Sequence, residues 1–209
     1  MHLFWITSRA AGIAALLLAS ATVGVGLALG GRLAKGRAQD LRPLHEALSL
    51  AALGALAVHV VALLGDGFMH PSVADLTIPF ASGYQRLWTT TGIVAAWLLA
   101  LLGLSFYARG RIGVQRWRAL HRYTALAWIL SIGHALGEGT DAGRVWFIAA
   151  VGIVVLPALV LLTSVLLPRL AAALRSPPRA PPPTEAGAAP PGPFGRARGT
   201  PTADGRTPS

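Results

Sequence analysis

The sequence predicts an all-α fold: a polytopic membrane bundle of about five transmembrane helices, with the N-terminus outside and the C-terminus cytoplasmic. Three observations carry this reading. Of 209 residues, 54% are hydrophobic and only 12% are charged, with a mean hydropathy of +0.57. That leaves too little polar surface for a soluble domain of this size. The apolar residues also fall into runs long enough, or nearly so, to cross a hydrocarbon core of about 30 Å at about 1.5 Å per helical residue. Finally, the basic residues concentrate in alternate connections.

The first span is expected from Ile13 to Leu29. Ala19-Ser20-Ala21 resembles a signal-peptide cleavage site, but the apolar run continues to Leu29 and a basic loop follows, the pattern of a retained helix. The second span runs from Leu44 to Leu64 and the third from Trp88 to Tyr107, whose end residues suit interfacial anchoring. Between them, the stretch Gly65 to Leu87 holds Met69, Ile78, Phe80 and Tyr84 and reads as an interfacial amphipathic piece. The fourth span covers Leu120 to Leu136. The fifth covers Val145 to Leu167, with Pro157 expected to kink it. These spans form one membrane domain, residues 1–168. Residues 169–209 read as a disordered, Pro/Arg-rich cytoplasmic tail, because that composition has no apolar period with which to build a core.

Charge sets the orientation. Arg32, Lys35, Arg37 and Arg42 follow the first span; Arg109, Arg111, Arg116 and Arg118 follow the third; Arg169, Arg175 and Arg179 follow the fifth. The other connections carry Asp66, Asp75 and Arg86, or Glu138, Asp141 and Arg144. The positive-inside rule makes the basic connections cytoplasmic. Topology therefore accounts for the net charge of +10, and nucleic acid is not an expected partner. With no cysteine, disulfides, iron–sulfur clusters and thiolate haem ligands are excluded.

The chemistry lies in four histidines. His45 and His59 stand 14 residues apart on the second span, close to four helical turns and about 21 Å, so they share a face. His121 and His134 stand 13 residues apart on the fourth span. A histidine at a helix start is ordinarily interfacial, but one deep in a span is costly and points to function. Four at matched depths on two spans of the same direction point to bis-histidine haem sites: His45 with His121 near the cytoplasm, His59 with His134 nearer the outside. The geometry leaves one problem. Thirteen steps of about 100° put His134 roughly 140° off the face of His121, so helix tilt, supercoiling or a local distortion near Gly133 and Gly137 must recover part of the offset. His2 is terminal. His70, with Asp66 or Asp75, lies where an external acceptor would arrive. Arg118 and Arg122 flank His121, and Arg42 precedes His45; all three are candidates to pair with haem propionates, beside their role in topology. Trp128, midway between His121 and His134, reads as a core or lipid-facing residue before it reads as a filler between haems. Gly24-Val25-Gly26 lies inside an apolar span and follows no strand, so it is no dinucleotide fingerprint.

These residues carry a resemblance. His45 with His59, and Trp117-Arg118-Ala119-Leu120-His121-Arg122 with His134, resemble the ferric reductase-like transmembrane family, which includes ferric reductases, NADPH oxidases and the haem subunit of the methionine sulfoxide reductase system. The resemblance covers about Leu44 to Leu167 and the general run of the first span. It implies two b-type haems stacked across the membrane, held by His45, His59, His121 and His134, passing electrons outward one at a time. It also implies an electron-transfer subunit of an oxidoreductase with no catalytic residue of its own. Members often carry a cytoplasmic flavin and nicotinamide domain. Here only a short Pro-rich tail follows the fifth span, so electrons are expected from a separate cytoplasmic flavin- or nicotinamide-dependent reductase or another donor, and are passed to an external acceptor. The span count is also one fewer than in six-helix members. Two other functions remain open on sequence alone: a haem-based redox sensor, and a cofactor-free membrane scaffold or metal carrier.

Overall fold

The computed structural model describes residues 3–31, 33–34 and 36–175. His2, Arg32, Lys35 and the expected tail from Ser176 onward lie outside the described residues. Eight helices follow in order: α1 (Leu3–Gly30), α2 (Ala38–Leu64), α3 (Val73–Thr77), α4 (Arg86–Leu104), α5 (Arg109–Ile112), α6 (Val114–His121), α7 (Thr124–Gly137) and α8 (Val145–Arg175). Among the described residues, α1, α2, α4 and α8 are long and apolar enough to cross a membrane. The protein is a multi-pass membrane helix bundle.

The fourth expected span is the one the structure alters. It is divided into α6 and α7, and α7 has 14 residues, about 21 Å and short of a full crossing. Between them the ladder tightens: Tyr123 N donates to Leu120 O at 3.0 Å and Ala125 N to Arg122 O at 3.3 Å. The Thr124 hydroxyl also takes the His121 carbonyl at 2.7 Å, a side-chain bond that competes with the regular helix. Upstream, Gly113 adopts φ 90°, a conformation L side chains rarely reach, and turns α5 into α6. α8 continues unbroken through Pro157 and Pro168 and runs on to Arg175, past the expected boundary at residue 168.

α1 lies at the middle of the bundle. It packs along α2, α7 and α8, while α4 packs on α7. Leu16 and Ala19 of α1, Trp128 of α7 and Phe147, Val151, Val155, Ala158 and Leu162 of α8 form the core. In lipid, burial of apolar surface does not drive helices together; close packing and interhelical hydrogen bonds do. Both occur here. The small residues Ala19, Ser20 and Ala158 admit the neighbouring helices, and fully buried Trp128 donates its Nε1–H to Ser20 Oγ at 2.8 Å. Trp128 is therefore a core residue; the cavity described below is lined by other side chains. Exposed Val58, Val61, Trp97, Leu101, Ile153, Leu156 and Val160 form the outward apolar surface that a bilayer requires.

The two ends differ in charge. One carries Arg37, Arg109, Arg111, Arg116, Arg118 and Arg169, and is called the basic end below. The other carries Asp66, Asp75, Glu138 and Asp141. There, Arg9 of α1 grips the Asp141 carboxylate with two hydrogen bonds and lies over the Trp5 ring. Between α2 and α4, Ser72 and Asp75 form a reciprocal capping box on α3. Trp97 Nε1 donates to Thr77 O at 2.9 Å, tying that connection down onto α4.

Candidate cofactor site

A cavity of about 1480 Å³ opens between α1 and α2 on one side and α4, α6 and α7 on the other, and all four spanning-region histidines line it. That exceeds the roughly 300–1,000 Å³ of a usual ligand pocket. The rings meet in two pairs. His45 faces His121 with ring centroids 6.2 Å apart and planes at 82°. His59 faces His134 at 6.5 Å and 72°. Both pairs join α2 to the α6–α7 segment, as the sequence predicts. The angular problem at His134 is met at Arg122–Tyr123, where the helix is interrupted, while Gly133 and Gly137 lie within α7. His70, in contrast, sits in the α2–α3 connection with φ 44° and is not among the residues lining the cavity.

The paired rings fit a macrocycle iron. Two facing imidazoles at each of two levels are a donor set that could hold one haem iron per pair. Among the described residues, no group of three or more His, Cys, Asp or Glu gathers to hold a bare ion. The donors suit the same reading. A ligating imidazole bonds through Nε2 when Nδ1–H is engaged elsewhere. His45 Nδ1 lies 3.1 Å from the Thr22 carbonyl, His59 Nδ1 lies 2.8 Å from the Ser8 carbonyl, and His134 Nδ1 lies 2.9 Å from the Trp88 carbonyl. His121 Nδ1 faces the Leu102 carbonyl without reaching hydrogen-bond geometry, and its ring is instead stacked on Trp117 at 5.1 Å.

Each engaged carbonyl has a glycine four residues on. Thr22 is followed by Gly26, Ser8 by Gly12 and Trp88 by Gly92. In a helix the side chain at i+4 stands beside the carbonyl of residue i. Without a Cβ, the imidazole reaches that carbonyl. A Cβ on Gly26 would lie 3.0 Å from His45 Cε1, on Gly12 3.0 Å from His59 Nδ1, and on Gly92 2.5 Å from His134 Nδ1. α1 therefore carries two cradles, Ser8/Gly12 and Thr22/Gly26, spaced 14 residues apart like His59 and His45 on antiparallel α2. This is the part of the site that the sequence reading missed, although the matched spacing was visible in it.

At the basic end, Arg118 and Arg122 line the cavity, as does Arg42. Arg109 and Arg169, not singled out from sequence, join them. Trp117 Nε1 is buried there with no hydrogen-bond partner. An unfilled donor among arginines is what a haem propionate would meet. Nearby Tyr107 donates its hydroxyl to Glu46 at 3.0 Å.

The model of the family described as ferric reductase like transmembrane component matches residues 7–132. The chain belongs to that family. The match takes in most of α1, with both of its glycine cradles, as well as His45, His59 and His121; His134 lies just beyond its end. It starts earlier and stops sooner than the stretch on which the sequence resemblance was drawn. No curated protein and no solved structure matches the chain. Membership in the ferric reductase-like family supports a membrane redox role.

Proposed function

We propose that the protein is a b-type membrane cytochrome that carries electrons across the plasma membrane through two bis-histidine haems, from a separate cytoplasmic flavin- or nicotinamide-dependent reductase to an external acceptor. The observation that carries this is the pair of facing imidazoles repeated at both ends of one cavity, at 6.2 and 6.5 Å. The haem, when bound, supplies an iron centre that takes up and gives up one electron at a time. The remaining work falls to the chain's own side chains.

His45 and His121 hold the centre at the basic end; His59 and His134 hold the other. The 14-residue spacing of His45 and His59 sets a separation of about 21 Å along the helix axis. Carbonyls of Ser8, Thr22 and Trp88 fix the tautomer and plane of three imidazoles, so little rearrangement accompanies a change of charge. Arg42, Arg118 and Arg122 would meet propionates at the basic end. The arginine asymmetry supports a cytoplasmic basic end, from which electrons of a cytoplasmic donor would travel outward.

A reduced-minus-oxidised spectrum of the purified protein tests the reading. A haem b difference spectrum with two haems per chain is expected. Protein without haem would favour the scaffold, and haem that no cytoplasmic reductase can reduce would favour the sensor. A reporter fused after Ser209 should read cytoplasmic, and one in the Gly65 to Leu87 stretch external.

A further inference from the structure

Of the four cavity histidines, His134 has a neighbour of a different kind. Glu138, one turn on at the end of α7, places Oε2 3.1 Å from His134 Nδ1. That oxygen is buried and accepts no hydrogen bond from any described residue, because the Nδ1–H is aimed at the Trp88 carbonyl. The other oxygen is fixed. Oε1 lies 3.0 Å from the hydroxyl of Thr89, which is 8% exposed and also 2.8 Å from the Tyr84 carbonyl. An i,i+4 Glu–His pair is unremarkable on an exposed helix face. Here both side chains line the cavity, with the Glu138 side chain at the end of α7 only 18% exposed. The other pair differs. His45 Nδ1 engages the Thr22 carbonyl, and Glu46, the carboxylate next to it in sequence, is turned to Tyr107.

We propose that Glu138 is a positioning residue for the His59–His134 centre, whose carboxylate beside the Nδ1–H of His134 lowers that centre's reduction potential. The inference rests on the haem reading above. Negative charge at Nδ1–H makes the imidazole more basic at Nε2, and a more basic ligand favours ferric over ferrous iron. The charge also opposes the added electron directly, and the low dielectric of the bundle strengthens that effect. Glu138 thus makes the final centre a stronger one-electron reductant toward whatever accepts from it.

The test is a potentiometric titration of the purified full chain in nanodiscs. His134→Ala identifies which of the two midpoints belongs to this centre. Glu138→Gln keeps the shape and removes the charge. That midpoint should rise, the other should stay in place, and both haems should remain. Glu138→Asp keeps the charge and should stay nearer the wild-type value. Unmoved midpoints in Glu138→Gln, or an equal rise in both, would overturn the proposal. Loss of the haem from Glu138→Gln would overturn it too, by making Glu138 a structural support. Wild-type protein lacking haem would refute the haem reading itself, and the spectrum reports that before any variant is made.

Discussion

Gly92 leaves no room for a side chain against His134: a Cβ built on it would stand 2.5 Å from His134 Nδ1. The glycine on α4 and the histidine on α7 are thus one unit, the absent methyl being the space the ring occupies. Gly92→Ala should tilt or displace the imidazole and lower haem content more than Gly12→Ala or Gly26→Ala, where the nearest contacts are 3.0 Å. Gly54→Ala, on α2, meets nothing within 4 Å and should keep its haem, gaining about 1 kcal/mol of helix propensity. The check is the haem-to-protein ratio across the four variants. Equal ratios for Gly92→Ala and Gly54→Ala would remove the cradle from the account.

Trp128 belongs to the core rather than the redox path. Trp128→Ala should cost about 3–5 kcal/mol of stability, as for large aromatic truncations in packed cores. Trp128→Phe keeps most of the packing and gives up the bond to Ser20 Oγ, which still donates to Leu16 O at 2.7 Å. Its cost should be nearer 1 kcal/mol. Thermal unfolding in detergent measures both. Electron transfer per haem in Trp128→Phe should match wild type; a large slowing at full haem content would return Trp128 to the path.

The Arg9–Asp141 pair is asymmetric. Asp141 is 3% exposed, while the Arg9 side chain is 34% exposed. Arg9→Ala strands a buried carboxylate, at a cost of about 3–5 kcal/mol. Asp141→Ala leaves an arginine that can turn to water, so it should be the milder change. Unfolding midpoints of the two variants in the same detergent decide this. The reverse order would mean that Arg9 has a further partner.

The sequence makes the fold legible through two simple signals. Apolar runs mark α1, α2, α4 and α8, and arginine placement distinguishes the two ends. The histidine pairs are legible for the same reason, because a polar ring deep in a span stands out against leucine and alanine. What is not legible is the α6–α7 break. Leu120 to Leu136 holds no proline and no glycine near Arg122 and Tyr123 to mark a break, and the interruption depends on a Thr124 hydroxyl donating to the His121 carbonyl. The cradles escape notice because a glycine in an apolar helix looks like background until the ring that fills its space is known. Glu138 escapes because only the packing of α4 on α7 brings Thr89 to it.

At the acidic end, α3 should respond to pH. Asp75 accepts from Ser72, and those bonds hold its carboxyl below the ordinary carboxylate range. A lowered folded value means the cap is fully present above the usual carboxylate pKa and is lost as pH falls through the lowered one. Amide chemical shifts at Ser72 and Asp75 should therefore titrate at unusually acid pH, and Ser72→Ala should move that transition upward. An unchanged transition in Ser72→Ala would dissociate the shift from the capping box.

The measurement closest to the centre of the account is haem stoichiometry in histidine variants of the purified chain. If His45 pairs with His121 and His59 with His134, then His59→Ala, His134→Ala and the double variant of the two should all lose one and the same haem. His45→Ala, His121→Ala and their double variant should all lose the other. Combining one change from each pair, such as His45→Ala with His134→Ala, should remove both. If instead His45→Ala and His59→Ala proved equivalent while His121→Ala left haem content untouched, the pairing across the cavity would be contradicted, and the two-centre relay with it.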